Sequence, residues 1–140
     1  MTAREYLTQI RTIALRVRRI QNELERLRAD AASVSINLDG MPRVSGNGDR
    51  LARLAIKMAE YNTELQEELN TLLDEKVRAI NMIKTLDPKQ QTVLIEYYIH
   101  VKTWERIAEE MNLSVRHCHR IHGNALYNFD KLLNKGDIEQ

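Results

Sequence analysis

With 140 residues and a net charge of +1, the chain has room for one ordinary domain, or for a small domain on an extended helical arm, and carries no global basic field that would draw it onto nucleic acid. Few Gly and Pro (5 and 2) and many Leu, Ile, Arg and Glu favour helix over sheet, and one Phe and one Trp are few for a compact core, which points to long packed helices. A single Cys excludes an internal disulfide framework, and no run has the length of a membrane span or the apolar stretch of a secretory leader, so a reducing, cytoplasmic setting without membrane contact is expected.

From about residue 3 to 30, Tyr6, Ile10, Ile13, Val17, Ile20, Leu24 and Leu27 recur in alternating steps of three and four, continuing to Ala31. That is a coiled-coil seam sustained for three heptads. The opposite face is Arg-biased, with Arg4, Arg11, Arg16, Arg18 and Arg19 against Glu5. Residues 31–49 lose the period and gather three Gly, one Pro and several turn formers, which predicts a flexible connection. Asp49 then caps a second long helix over about 50–86. Leu51, Leu54, Met58, Tyr61 and Leu65 keep the heptad there, and Leu69, Leu72, Leu73, Val77, Ile80 and Ile83 form a broader stripe. Acidic residues cluster at Glu60, Glu64, Glu67, Glu68, Asp74 and Glu75. An antiparallel hairpin sets this stretch against the Arg-rich first helix, although exposed pairs are worth only about 0–1 kcal/mol each. The same Arg face could instead meet phosphate.

Asp87-Pro88-Lys89-Gln90 is a helix start, with Asp as N-cap, Pro at N1 and Gln at N3. The helix it opens is expected to bury Val93, Leu94, Tyr97 and Tyr98 and to end near Ile99-His100. Thr103 caps the next helix, in which Ile107, Ala108 and Met111 share a face and Trp104 covers Tyr97 or Tyr98. Asn112-Leu113-Ser114 breaks the period, with Leu113 as the plug of a turn and Ser114 as the following N-cap. The period resumes at Cys118, Ile121, Ala125 and Phe129. Residues 88–134 therefore read as a three-helix helix-turn-helix domain, after a hairpin over 1–87 and before a disordered tail over 135–140; the fold class is all-α.

At about 100 degrees per residue, the last helix turns Arg116, Arg120 and Gly123 away from its apolar face, with His119 on one flank and His117 and Asn124 on the other. A helix that reads a major groove needs long donors near its N-terminus and an apolar back. Arg116 or Arg120 would bond guanine O6 and N7, at roughly 1–3 kcal/mol of discrimination each. His119 would meet guanine or cytosine according to its tautomer. Backbone amides near Ser114 would hold a phosphate, and Thr103 and Arg106 would reach the flanking backbone. The alternative is an ordinary solvated face; against it, no Asp or Glu stands between Ser114 and Leu126. Gly123 reads either as a close approach to DNA or as close packing against a neighbour.

Cys118 and His122, at i and i+4, have the spacing of two metal ligands. A tetrahedral site needs more ligands on that face, and Cys118 suits a small buried position, so His122 is expected at the rim of the core and no metal or cofactor is expected. No nucleophile–base pair or Gly-rich phosphate loop is present, and an enzyme is not expected.

Gln90-Gln-Thr-Val-Leu-Ile-Glu-Tyr-Tyr98, Thr103-Trp-Glu-Arg-Ile-Ala-Glu-Glu-Met111 and Leu113-Ser-Val-Arg-His-Cys118 resemble region 4 of the sigma-70 family, the domain that reads the −35 promoter element and touches RNA polymerase. Arg120-Ile-His-Gly-Asn-Ala-Leu126, the Leu38-Asp-Gly-Met-Pro42 linker and the acidic second helix resemble small sigma-like proteins of Gram-positive phages and prophages, similar to the RinA-type and ArpU-type late transcriptional regulators. By position, the resemblance puts base reading on Val115, Arg116, His119 and Arg120. Val115 stands where a polar residue is usual, so a thymine methyl contact would replace a hydrogen bond. No segment resembles the −10-binding region of full sigma factors.

The expected function is a phage-type transcriptional regulator in a bacterial cytoplasm. Its partners would be double-stranded DNA, bound through Thr103, Arg106, Ser114, Val115, Arg116, His117, His119, Arg120 and Asn124, RNA polymerase, and a second copy joined through the hairpin. The alternatives are a DNA-packaging protein like a small terminase subunit, which would form a larger ring, and a protein-interaction module that no longer binds DNA.

Overall fold

The structure, a computed structural model, describes the backbone of residues 1–39 and 47–139, with side chains over 1–34 and 48–135. The fold is all-α. Its helices are α1 (Ala3–Asp39), α2 (Asn47–Ile83), α3 (Pro88–Leu94), which runs into a π-helical turn (Ile95–Ile99), α4 (Trp104–Met111) and α5 (Val115–Glu139). Helix α1 runs past the expected end near 30. Val34 is buried, and Leu24, Leu27, Ala31 and Val34 keep the three-and-four spacing, so the seam continues beneath polar Ser33. Helix α2 starts at Asn47, which puts Asp49 inside its first turn instead of at its cap, and it stops at Ile83 in a turn closed by Leu86 N–H on the Ile83 carbonyl at 2.9 Å. Of the expected linker, residues 40–46 lie outside the described residues. At the other end, the helical backbone of α5 continues through most of the expected tail to Glu139, and Gln140 lies outside the described residues.

Packing divides the chain into two compact units, Arg16–Asn70 and Met1–Leu15 with Thr71–Gln140, a division unlike one at residue 87. Within Arg16–Asn70 the two helices pair antiparallel. Arg16 meets Glu68 at 3.8 Å, while Arg19, Ile20 and Glu23 share a cavity wall with Tyr61 and Glu64, so ascending numbers on one helix meet descending ones on the other. Val17, Ile20, Leu24 and Val34 are buried, and Leu51, Leu54, Met58, Tyr61 and Leu65 are half-buried.

In the other unit the first turns of α1 belong to the same core as the helix-turn-helix. Ala3, Leu7 and Ile10 are buried with Ala79, Ile83, Leu94, Tyr98, Ala125 and Phe129, whereas Tyr6 only packs against this cluster. Each large side chain fully buried in this way contributes roughly 1.5–3 kcal/mol. On α2, Leu73 and Val77 face solvent and buried Ala79 takes their expected place. The α1 start is pinned twice. Thr2 and Glu5 form a reciprocal capping box, each accepting the other's backbone N–H at 3.2 Å, and Asp130 of α5 accepts the Ala3 N–H. Asp87 occupies the N-cap of α3 but makes no side-chain cap bond. The Gln91 side-chain amide donates to the Leu86 backbone carbonyl at 2.7 Å, and Gln90 Oε1 accepts from the Asn128 side-chain amide of α5 at 3.0 Å, so both glutamines tie α3 to neighbouring segments.

Candidate nucleic-acid interface

The π-helical turn closes with His100 N–H on the Ile95 carbonyl at 3.0 Å. Val101 follows at φ 58°, a left-handed backbone that a β-branched residue rarely adopts, so the link into α4 is held against local strain. Lys102 helps hold it: its ammonium pairs with Glu96 and, at 2.8 Å, with Glu110. Burial raises the Glu96 carboxyl pKa, but hydrogen bonds from Lys102 and His100 outweigh it and leave the group below its ordinary range. The Tyr97 and Tyr98 rings meet edge to face at 4.9 Å; Tyr98 enters the core, and Tyr97 stacks under Trp104 at 4.3 Å.

Both caps of the motif form as the residue types require. Thr103 Oγ1 accepts the Arg106 N–H at 3.2 Å, and Ser114 Oγ accepts the His117 N–H at 3.0 Å. Asn112 ends α4 in the left-handed region (φ 55°, ψ 42°), which Asn tolerates better than most residues, and Leu113 N–H returns to the Ala108 carbonyl at 2.9 Å. Leu113 is half-buried, packed with Trp104, Met111 and Val115 against the small cluster of Ile107, Ala108 and Cys118.

That cluster aims α5. Cys118, Ile121, Ala125 and Phe129 are buried along its inner face, as is Leu126. Arg116, His119, Arg120, Gly123 and Asn124 are exposed, and with exposed Ser114 they gather on the outer side of one helix. His117 is half-buried. Val115 is also half-buried and lies against the small cluster, so part of its apolar surface is engaged inside the fold. Thr103 and Arg106 are exposed at the start of α4, but the Arg106 Nε is held by Glu110 at 3.2 Å, which offsets part of its attraction for a phosphate. The His117 amide is taken by Ser114, removing one donor from any phosphate site at this helix start.

His122 differs most from expectation. It is only 6% exposed instead of lying at the rim, and its Nε2 lies 2.7 Å from the Tyr98 hydroxyl. Burial, then the nearby Arg4 charge and His119, lowers its pKa to about 4, and burial pushes Tyr98 up to about 12. The imidazole is therefore neutral at physiological pH and serves as a buried polar partner. Cys118 is free, buried and held protonated by its surroundings. Among the described residues no group of three or more His, Cys, Asp or Glu could hold a metal ion, and no helix is long and apolar enough to cross a membrane. A Cβ built on Gly123 meets nothing within 4 Å, so packing inside the chain does not explain the glycine. Sequence reasoning missed the approach of Arg4 and Arg11 to this region. Their seven-residue spacing put them on one face of α1, but nothing local places α1 beside α5.

No curated protein and no solved structure matches the chain. The family model for sigma-70, region 4 matches residues 82–128, from the end of α2 through the outward face of α5. Residues 82–128 are therefore similar to sigma-70, region 4, and fold as a helix-turn-helix.

Proposed function

We propose that the protein is a sequence-specific transcriptional regulator of the phage or prophage type, without enzymatic activity, that reads a promoter-proximal site by setting α5 in the major groove. The observation that carries this reading is the outer side of α5: Arg116, His119, Arg120 and Asn124 stand exposed on a helix whose inner face is buried, inside a domain of the sigma-70 region 4 type, with no acid between Ser114 and Leu126. Arg116 and Arg120 are the base readers. His119 and Asn124 flank them, and Ser114 and Thr103 orient the duplex through its backbone. Arg106 contributes less than a free guanidinium because Glu110 shares it. Val115 meets a thymine methyl with the part of its side chain left open.

The residues 16–70 hairpin gives the regulator a second surface, for a second copy of the chain or for RNA polymerase. Its half-buried α2 seam and the exposed Ile56 support that role. Selection of bound sequences from a random duplex pool, followed by binding across a salt series, tests the reading. Arg116→Ala and Arg120→Ala should each cost about 1–3 kcal/mol at the selected site and relax preference there. If both leave affinity and preference unchanged, α5 is not the reader. A palindromic selected site would give a dimer and its half-site spacing.

A further inference from the structure

Next to the outward side of α5 the unit has a half-open cavity of about 330 Å³. Arg4 and Arg11 of α1 form one wall, Tyr98 and Trp104 another, and His119 and Gly123 the edge shared with α5. No carboxylate lines it. The two arginines sit two helical turns apart, about 10 Å along the axis. Arg11 is fixed in place: its Nε donates to the Tyr97 carbonyl at 3.3 Å, and its guanidinium lies 4.5 Å over the Tyr97 ring. Arg4 is exposed, with no ion pair among the described residues. Arg4 lines the cavity together with His122 and Tyr98, and after burial its charge is the next influence on both. Trp104 lies 4.6 Å from the His119 ring, giving that side an aromatic surface. A held guanidinium, a second unpaired one, an imidazole and no acid make a site for an oxyanion, and guanidinium suits phosphate in particular.

We propose that this cavity is a phosphate seat, in which Arg4 and Arg11 of the first helix hold a backbone phosphate of the duplex whose bases α5 reads. The proposal rests on the DNA-reading function above and extends the interface to α1. Gly123, at the shared edge and without a side chain, leaves room for the strand to reach the cavity.

The test uses the full chain, its selected duplex and inorganic phosphate. Trp104 is the sole tryptophan, so its fluorescence reports directly on this cavity. Arg4→Ala, an exposed change outside the core, should weaken duplex binding about tenfold at physiological salt and lower the salt slope by about 1 without altering base preference. Millimolar inorganic phosphate should change Trp104 emission in the wild type and not in Arg4→Ala. Arg28→Ala, which removes one exposed charge from Arg16–Asn70, should change neither signal. The proposal is overturned if Arg116→Ala weakens binding but Arg4→Ala leaves affinity and slope intact. In that case, a Trp104 response to phosphate that Arg4→Ala abolishes would assign the cavity to a free phosphorylated ligand. A wild type that binds no duplex even at low salt would defeat the DNA reading itself, and this assignment with it.

Discussion

The helix-turn-helix unit and the Arg16–Asn70 hairpin are both helical and both rest on apolar periodicity, yet they bury it differently. In the first, Phe129, Tyr98, Leu94, Ile83, Leu7 and Ile10 are almost fully enclosed by side chains from five segments. In the second, the buried large residues, Val17, Ile20, Leu24 and Val34, all come from α1, while their α2 counterparts stay half open. Two paired helices bury the centre of their shared seam but leave its flanks open, and a third element or a partner would cover the remaining side. Core truncations should therefore cost more in the first unit. Phe129→Ala is expected to cost about 3–5 kcal/mol, because its pocket is fixed on all sides, and Leu24→Ala should fall near the lower end of about 2–5 kcal/mol, because an open seam relaxes. Urea unfolding of both variants measures the difference. A Leu24→Ala cost equal to that of Phe129→Ala would show that the hairpin seam is closed in solution, as it would be in a stable dimer.

Titration separates the units as well. Among the described residues His122 is the buried polar one of the first unit, with Tyr98, Arg4 and His119 acting on it. Its folded pKa of about 4 lies below the ordinary value near 6.5, so between those values the unfolded chain takes up a proton that the folded chain refuses. Stability from this group is thus complete above about pH 6.5 and falls as the pH drops toward 4, by about 3 kcal/mol in all. Tyr98, raised to about 12, acts in the opposite sense: its contribution is present below about pH 10 and is lost as the pH rises from there. Chemical denaturation at pH 7, 5.5 and 4.5 should show the acid loss in the wild type and a flatter profile in His122→Gln. An unchanged slope in that variant would assign the acid loss to other groups.

What the sequence disclosed follows the same division. Caps at Thr103 and Ser114, the turn at Asn112-Leu113 and the inner face of α5 were legible because each depends on residues within a turn or two of one another. The heptads announced two paired helices for the same reason. Polar Ser33 hid the continuation of α1 toward Val34, although the spacing survives it. The burial of His122, the exposure of Leu73 and Val77 and the place of Arg4 and Arg11 were not legible. All of them depend on which helix lies across from which, and helical period names a face without naming its neighbour. Leu7 makes the point: it is buried where the heptad nominated Tyr6, because the first turns of α1 meet a broad helical core instead of a single partner helix.

Two glycines give the finest comparison between the units. A Cβ at Gly48, in the first turn of α2, and one at Gly123, inside α5, would each meet nothing within 4 Å, so alanine fits both positions. Helix propensity alone then predicts a gain of about 1 kcal/mol for Gly123→Ala, with a smaller gain for Gly48→Ala because a first-turn residue is less constrained. If stability were the only demand, position 123 would have no reason to keep a glycine. Under the proposed DNA-reading role the reason lies outside the chain, in a close approach of the DNA strand. Gly123→Ala should therefore raise the urea midpoint and weaken duplex binding at the same time, while Gly48→Ala leaves binding untouched. A Gly123→Ala protein that is more stable and binds DNA as tightly as the wild type would remove close approach as the reason for this glycine and shift the contact surface toward Arg116 and Arg120 at the start of α5.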